Sequence, residues 1–473
     1  MNFIRNSARF ILALILLILT SHLASAQERE WIKIAETEDP AELEKVVFKL
    51  SEADIEGYHK LLADRGIKIG DKIDGSNAEK VKGLLPDIIY DFFLKNGWNF
   101  YVRETESWSP PNRWLAATKV YHKNVKLKPD KNLENYVGGT PFPFPSVDDP
   151  DAGYKAMWNL FYRPLGDCWD LYWMLHWIDA ENGVDRSQDW MAWVRPSETR
   201  LFSGKIIPEK ELDDTRAIYH VGGVNPFDIA GMWTFQFKKN NGTFDDLWAY
   251  VPGSRRVRRT SFGNKQVFVG SDMINDDTMY GYSGQISWFD NAKLLGIVPM
   301  FGNLHDKLPP LEVDKDGKYK TNYLDTKNPP YWNQNGGTWE IRPMWVVEAI
   351  YNDPNYPYSR RLLWIDCETK WVVYHAMYDQ KGELWKLQMN SQRGYSKDNS
   401  PYYQAMIDKF RPDATRIGWK DYPKGFIVGG YQLAVDAQAM HATSFDTNCK
   451  DHLYTDKIAE DDLTLQALQK KSH

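Results

Sequence analysis

Cysteine is scarce. Three occur in 473 residues, Cys168, Cys367 and Cys449, and their spacing fits neither a zinc site nor a redox CxxC pair. A disulfide-stapled fold is excluded, and at most one intrachain disulfide with an odd thiol left over is compatible with the count. Long apolar runs are missing after the N-terminus, so no membrane-spanning helix is expected. Catalytic signatures are missing too. Gly281-Tyr282-Ser283-Gly284 lacks the spacing of a nucleophile elbow, and there is no HExxH, phosphate loop or dinucleotide fingerprint. Histidines are scattered singly; His176 and His375 fall on strand patterns and read as structural. Nothing places two carboxylates together in a pocket. No catalytic residue, metal or cofactor is therefore expected. There is also no Gly/Ser or Pro-rich linker and no repeat of fixed period.

Net positive charge is lacking as well. The chain carries a formal charge of −6. Its start, MNFIRNSARFILALILLILTSHLASAQ, has a basic n-region at Arg5 and Arg9, an apolar run from Phe10 to Leu19 and a small-x-small exit at Ala24-Ser25-Ala26. That is the pattern of a secretory signal peptide cleaved after Ala26. Losing residues 1–26 removes two arginines and no acid, taking the charge from −6 to −8. An acidic exported protein is a poor partner for nucleic acid. A periplasmic location is expected.

What is present is aromatic surface, 14% of residues with 20 Trp, arranged mostly at period two. Residues 27–97 read as helical: Asp39-Pro40-Ala41-Glu42 starts one helix carrying Leu43, Val46, Val47 and Leu50, and Ser51 with Asp54 starts a second that closes at Gly66. Residues 77–95 are more helix, kinked or broken at Pro86. Over 98–453 the alternation predicts an antiparallel sheet with helical insertions. The clearest strand is CWDLYWMLHWI, Cys168 to Ile178. Others are expected at 190–195, 232–238, 246–251, 256–262, 285–290, 339–350, 361–366, 371–379 and 383–389. Hairpin turns are expected at Cys367–Lys370 and Asp379–Gly382. One helix starts from Asp149 and Pro150. Residues 454–473 form a polar tail. The fold class is mainly β with helices (α+β). A strongly curved sheet would let the helices act as a lid over an apolar concavity.

Two features suit a ligand site. Trp169, Trp173 and Trp177 share one strand face, either as core under the lid helices or as the wall of a cavity. Four arginines, Arg255, Arg256, Arg258 and Arg259, follow directly on the run holding Trp248 and Tyr250. In a strand, Arg255 and Arg259 lie on one face and Arg256 and Arg258 on the other. They are either neutralised by Asp272, Asp276 and Asp277 across a hairpin of 255–262 with 267–277, or placed at a groove mouth to bind an anionic head group. The two readings can coexist.

LWAYVPGSRRVRR, GSDMINDD, RPMWVVEA, YPYSRRLLWID and YDQKGELWK, in that order, resemble the DUF1329 family of exported bacterial proteins. So do NYVGGTPFPFP (Asn135 to Pro145) and VDAQAMHAT (Val435 to Thr443). That family is similar to the LolA/LolB lipoprotein carriers. The resemblance implies a curved antiparallel half-barrel closed by helices, with an apolar cavity, and periplasmic binding or shuttling of a lipid or other hydrophobic molecule. It supplies no catalytic residue. The expected function is a periplasmic carrier or binding protein for such a ligand, with envelope transport proteins as partners. The alternatives are a periplasmic enzyme acting on a hydrophobic or glycan substrate, and a recognition module in an envelope complex.

Overall fold

The computed structural model describes residues 30–201, 214–260, 265–279, 281–305, 324–396, 402–405, 408, 425–449, 464 and 466. The expected signal peptide lies outside the described residues, as does nearly all of the expected tail. Among the described residues, no helix is long and apolar enough to cross a membrane.

The N-terminal part is helical. Helix α1 (30–37) is followed by α2 (Pro40–Glu44), where the Asp39 side chain accepts the Ala41 N–H. Helix α2 ends well short of Leu50, because Leu43 and Val47 turn to pack on Trp31 and Trp114. Helix α3 (Glu52–Asp64) carries a reciprocal Ser51–Asp54 capping box. Pro86 breaks the next segment as expected. A 3₁₀ turn, Ala78–Val81, precedes it, and α4 (Asp87–Ile89) runs after it into a π-turn at Tyr90–Leu94. Helix α5 (Asn112–Tyr121) and helix α6 (Ala152–Phe161) complete the set. Helix α6 starts two residues later than expected, since Asp149 is consumed by a turn that takes the N–H groups of Asp151 and Ala152.

Strands β1 (Lys72–Ile73) and β2 (Phe100–Val102) begin the main sheet. Strands β3 (Lys126–Leu127) and β4 (Leu133–Glu134) pair separately. A first meander follows: β5 (Trp169–Asp179), β6 (Gly183–Pro196), β7 (Thr215–Asn225), β8 (Trp233–Lys239), β9 (Asp246–Val251) and β10 (Arg256–Thr260). A second contains β11 (Asn291–Gly302), β12 (Thr338–Ile350), β13 (Arg360–Asp366), β14 (Val372–Tyr378), β15 (Leu384–Ser396), β16 (Gly425–Asp436) and β17 (His441–Cys449). The sheet order is β1-β2-β12-β13-β14-β15-β16-β17-β5-β6-β7-β8-β9-β10, with β11 also on β12. Pairing is antiparallel except β2 with β12. The sheet is curved and open, the fold class expected.

Both expected turns are present. Asp366 accepts the N–H groups of Glu368 and Thr369 at the first, and Asp379 those of Lys381 and Glu383 at the second. The expected strand at 285–290 is instead a 3₁₀ turn, Ile286–Trp288, where Tyr282 and Phe289 bury themselves against Tyr351 and Tyr356 rather than joining a ladder. The hairpin expected between 255–262 and 267–277 does not form. Strand β10 pairs with β9, Thr260 opposite Leu247 and Arg256 opposite Val251, because the Pro252-Gly253 turn leaves only a short loop.

Both faces of the sheet are covered. Leu387, Met389, Tyr431 and Leu433 pack under the 3₁₀, α4 and π segments, through Leu84, Leu85, Ile89 and Phe93. The other face holds α6, seated over β11 to β14 through Met157, Trp158 and Phe161 against Trp345, Val347 and Leu363. Farther along this inner face the cover is an irregular strap, residues 265–279 and 281–289. The segments of residues 78–94 therefore do not roof the inner face. Their apolar stripes match the Leu/Met rows opposite, whereas the inner face of β15 and β16 carries Lys386, Gln388, Asn390 and Gln432 and is met by the polar strap.

Candidate functional site: the cavity beneath the strap

The strap exists because of topology. Strands β10 and β11 lie toward opposite ends of the sheet, so the chain joining them must cross its inner face. A bridge between Val267 and Ile274 folds the strap's tip into a small loop. Met273 buries its side chain against the sheet, and Phe268 and Val269 pack beside it.

Beneath it is a cavity of about 200 Å³. Strands β5 to β10, β16 and β17 all reach it. Laid flat at about 4.8 Å per strand, those eight would span about 34 Å; converging on one cavity requires that this face be concave. Trp173, Trp190, Val221 and Phe445 supply the sheet side, and Phe268 and Met279 the roof. Phe268 lies edge-on to Trp173, with ring centres 6.0 Å apart, and 5.7 Å from Phe445. The polar lining consists of neutral groups such as Thr234, Thr260, Asn275 and Gln432. Among the described residues, no Asp, Glu, Lys, Arg, His or Cys side chain lines it.

Charged groups instead hold the strap down. Asp272 accepts from Lys386 Nζ at 2.8 Å and from Thr443 Oγ1 at 2.9 Å, while its own N–H donates to Thr443 Oγ1. Asp272, Asp436 and His441 offer donor atoms within 4.8 Å of one another, and the Lys386 ammonium already bridges the two carboxylates. Asp277 binds Arg361 and accepts from Tyr358 Oη at 3.1 Å, and its carbonyl accepts from Gln388 and Gln432. Asp276 accepts from Tyr356 Oη. Arg361 is fully buried among Tyr282, Tyr351, Tyr356 and Tyr358, 4.7–5.8 Å from their ring centres. His375 completes the group. The Gly281 carbonyl can only accept, so Nδ1 carries the proton and Nε2 accepts from Arg361. Burial, and the cation beside it, push the His375 pKa well below its usual value and keep it neutral.

The residues singled out from sequence are dispersed. Trp173 lines the cavity. Trp177 donates to the Gly270 carbonyl at 2.9 Å, tying down the strap's tip, and Arg186 stacks on its ring at 4.2 Å. Trp169 donates to the Gly166 carbonyl and borders a separate cleft of about 40 Å³ with Arg163 and Arg216. Trp248 and Tyr250 are on the opposite face of β9 from the cavity-lining Leu247 and Ala249, in a cluster with Trp233 and Phe235. The three aspartates expected to neutralise the arginine run bind Lys386, Tyr356 and Arg361 instead. Arg259 pairs with Asp246 and lies over Trp248. Arg255 sits in the turn with φ 50°. Arg256 and Arg258 are exposed on the cavity-side face, opposite Val251 and Ala249. Cys168 and Cys367 are both buried. The strap as cover was not read from the sequence; its Asp-rich GSDMINDD was the available signal.

A family model described as "Protein of unknown function (DUF1329)" matches residues 72–410. A DUF1329 family protein from Desulfovibrio piger is 14% identical over 68% of this chain and 99% of its own, with TM-score 0.42. A putative outer membrane lipoprotein-sorting protein domain from Vibrio parahaemolyticus is 16% identical, over 63% and 91%, with TM-score 0.36. A LolA superfamily protein from Nitrosomonas europaea is 12% identical, over 64% and 91%, with TM-score 0.32. No curated protein matches the chain.

Proposed function

This chain belongs to the DUF1329 family, and from that premise we propose that it is a periplasmic binding or carrier protein for a lipid or other small hydrophobic ligand, held under the strap. The observation that carries the reading is the cavity itself, walled by Trp173, Trp190, Val221, Phe268 and Phe445 and, among the described residues, lined by no charged side chain. Such a lining favours apolar burial at about 25 cal/mol per Å² and offers no acid–base pair for chemistry. Its volume exceeds the roughly 150 Å³ of a dry cavity that admits benzene, so one ring or one chain segment fits beneath the closed strap. The signal-peptide pattern of residues 1–26 supports the periplasmic location. Delivery to envelope transport proteins would follow from strap opening, since a ligand leaves when a receptor binds the open form better.

The test is uptake of a polarity-sensitive apolar dye by the purified protein, beside native mass spectrometry and organic extraction of protein taken from its own host. Stoichiometric dye binding, lost in a cavity-filling Ala249→Phe variant, is the expected result. An empty protein that takes up no dye would overturn the reading.

A further inference from the structure

We propose that the ligand is an anionic single-chain amphiphile whose head group is held at the cavity's rim by Arg258 and Arg256. This rests on the binding function just proposed. Thr260, Arg258 and Arg256 are alternate residues of β10, so they point to one face of the sheet. They stand opposite Leu247, Ala249 and Val251. Thr260, Leu247 and Ala249 line the cavity, so the row runs outward from its wall toward the Pro252-Gly253 turn. Two residues of strand advance about 7 Å, which places the Arg258 Cα about that far beyond Thr260.

The chemistry along the row is graded. Thr260 Oγ1 is a buried hydroxyl with no hydrogen-bond partner among the described residues. Arg258 and Arg256 are exposed and, among the described residues, neither has a carboxylate within ion-pairing distance. Arg259, one residue away on the opposite face, is paired with Asp246. The strand thus neutralises its outer face and leaves its cavity-side face cationic. An anion cannot be buried among the neutral lining groups without severe desolvation, whereas at the rim two guanidinium forks can take its oxygens pairwise while the chain enters the apolar space. A carboxylate and a phosphate head group share this chemistry.

The test compares decanoate, decyl phosphate and decanol as displacers of the bound dye from the full-length protein, in wild type, in Arg256→Gln/Arg258→Gln and in Arg259→Gln. The expected result is that the double variant binds the anions about tenfold or more weakly, the loss of charge-assisted hydrogen bonds, while decanol is unaffected and Arg259→Gln behaves as wild type. Anion binding should weaken with salt in the wild type and in Arg259→Gln, and much less in the double variant. A loss confined to decanoate assigns a carboxylate head, and one confined to decyl phosphate a phosphate head; either supports the proposal. If decanol and the anions bind alike in wild type and double variant, or if Arg259→Gln loses as much as the pair, the rim assignment is overturned and the binding function stands. If none of the three displaces dye and no dye binds, the binding function itself fails.

Discussion

Glu198 is buried next to Asn240, whose Nδ2 donates to its Oε2 at 3.2 Å. Burial pushes its pKa up to about 7, only partly offset by Tyr162, Asn240 and Arg216. The folded protein therefore keeps this carboxyl protonated at a pH where the unfolded chain has released the proton. The group opposes folding increasingly as pH rises from about 4.5 to 7, and fully above that. At about 1.4 kcal/mol per pH unit this amounts to about 3 kcal/mol. Glu198→Gln should match the wild type in urea unfolding at pH 4.5 and exceed its stability by up to that amount at pH 8. Arg361 makes the opposite case. Arg361→Met would strand the buried Asp277 carboxylate, and a loss of about 3–5 kcal/mol is expected. Hydrogen exchange at 268–279 should rise more than elsewhere, because Asp277 anchors the strap.

At the scale of elements, α6 touches the sheet without a side chain between them. A Cβ on Gly153 would lie 2.3 Å from the Ala292 carbonyl carbon on β11. In an exposed helix Gly→Ala adds up to about 1 kcal/mol of stability; here Gly153→Ala must push α6 off β11. A net loss of about 1–3 kcal/mol is expected, read as a lower thermal midpoint. Regular elements were legible where one physical rule sufficed. The period-two run from Trp169, the capping box at Ser51 and the Asp-led turns at 366 and 379 specify their own conformations. Strands β7, β11, β16 and β17 were not anticipated. Pro299 interrupts β11, and glycines at 222–223 and 429–430 dilute the alternation of β7 and β16. Of the site, Trp173 and the cationic character of β10 were visible. The strap was not, because its place depends on which strands β10 and β11 join. The aspartates it carries were legible as acidic but not as partners of Lys386 and Arg361, about a hundred residues away.

For the molecule as a whole, the strap is the roof of the cavity. Thr443→Val removes two of the hydrogen bonds on Asp272 and nothing from the lining. Loss of about 1 kcal/mol from the latch should speed dye release about fivefold in stopped-flow measurements, with the equilibrium unfolding free energy lowered by about that amount and no more. The two meanders meet through a single strand. Strand β17 pairs with β16 on one side and with β5 on the other, so residues 441–449 close a seam between the half made first and the half made last. A ribosome or a translocation channel delivers β5 through β16 before that seam can be sewn. Until then β5 and β16 both present long unpaired edges, the kind that recruit other chains. The protein thus completes its fold only after residues 441–449 have emerged, and a chain stopped at Met440 should appear in sedimentation as aggregate rather than as two independent half-sheets.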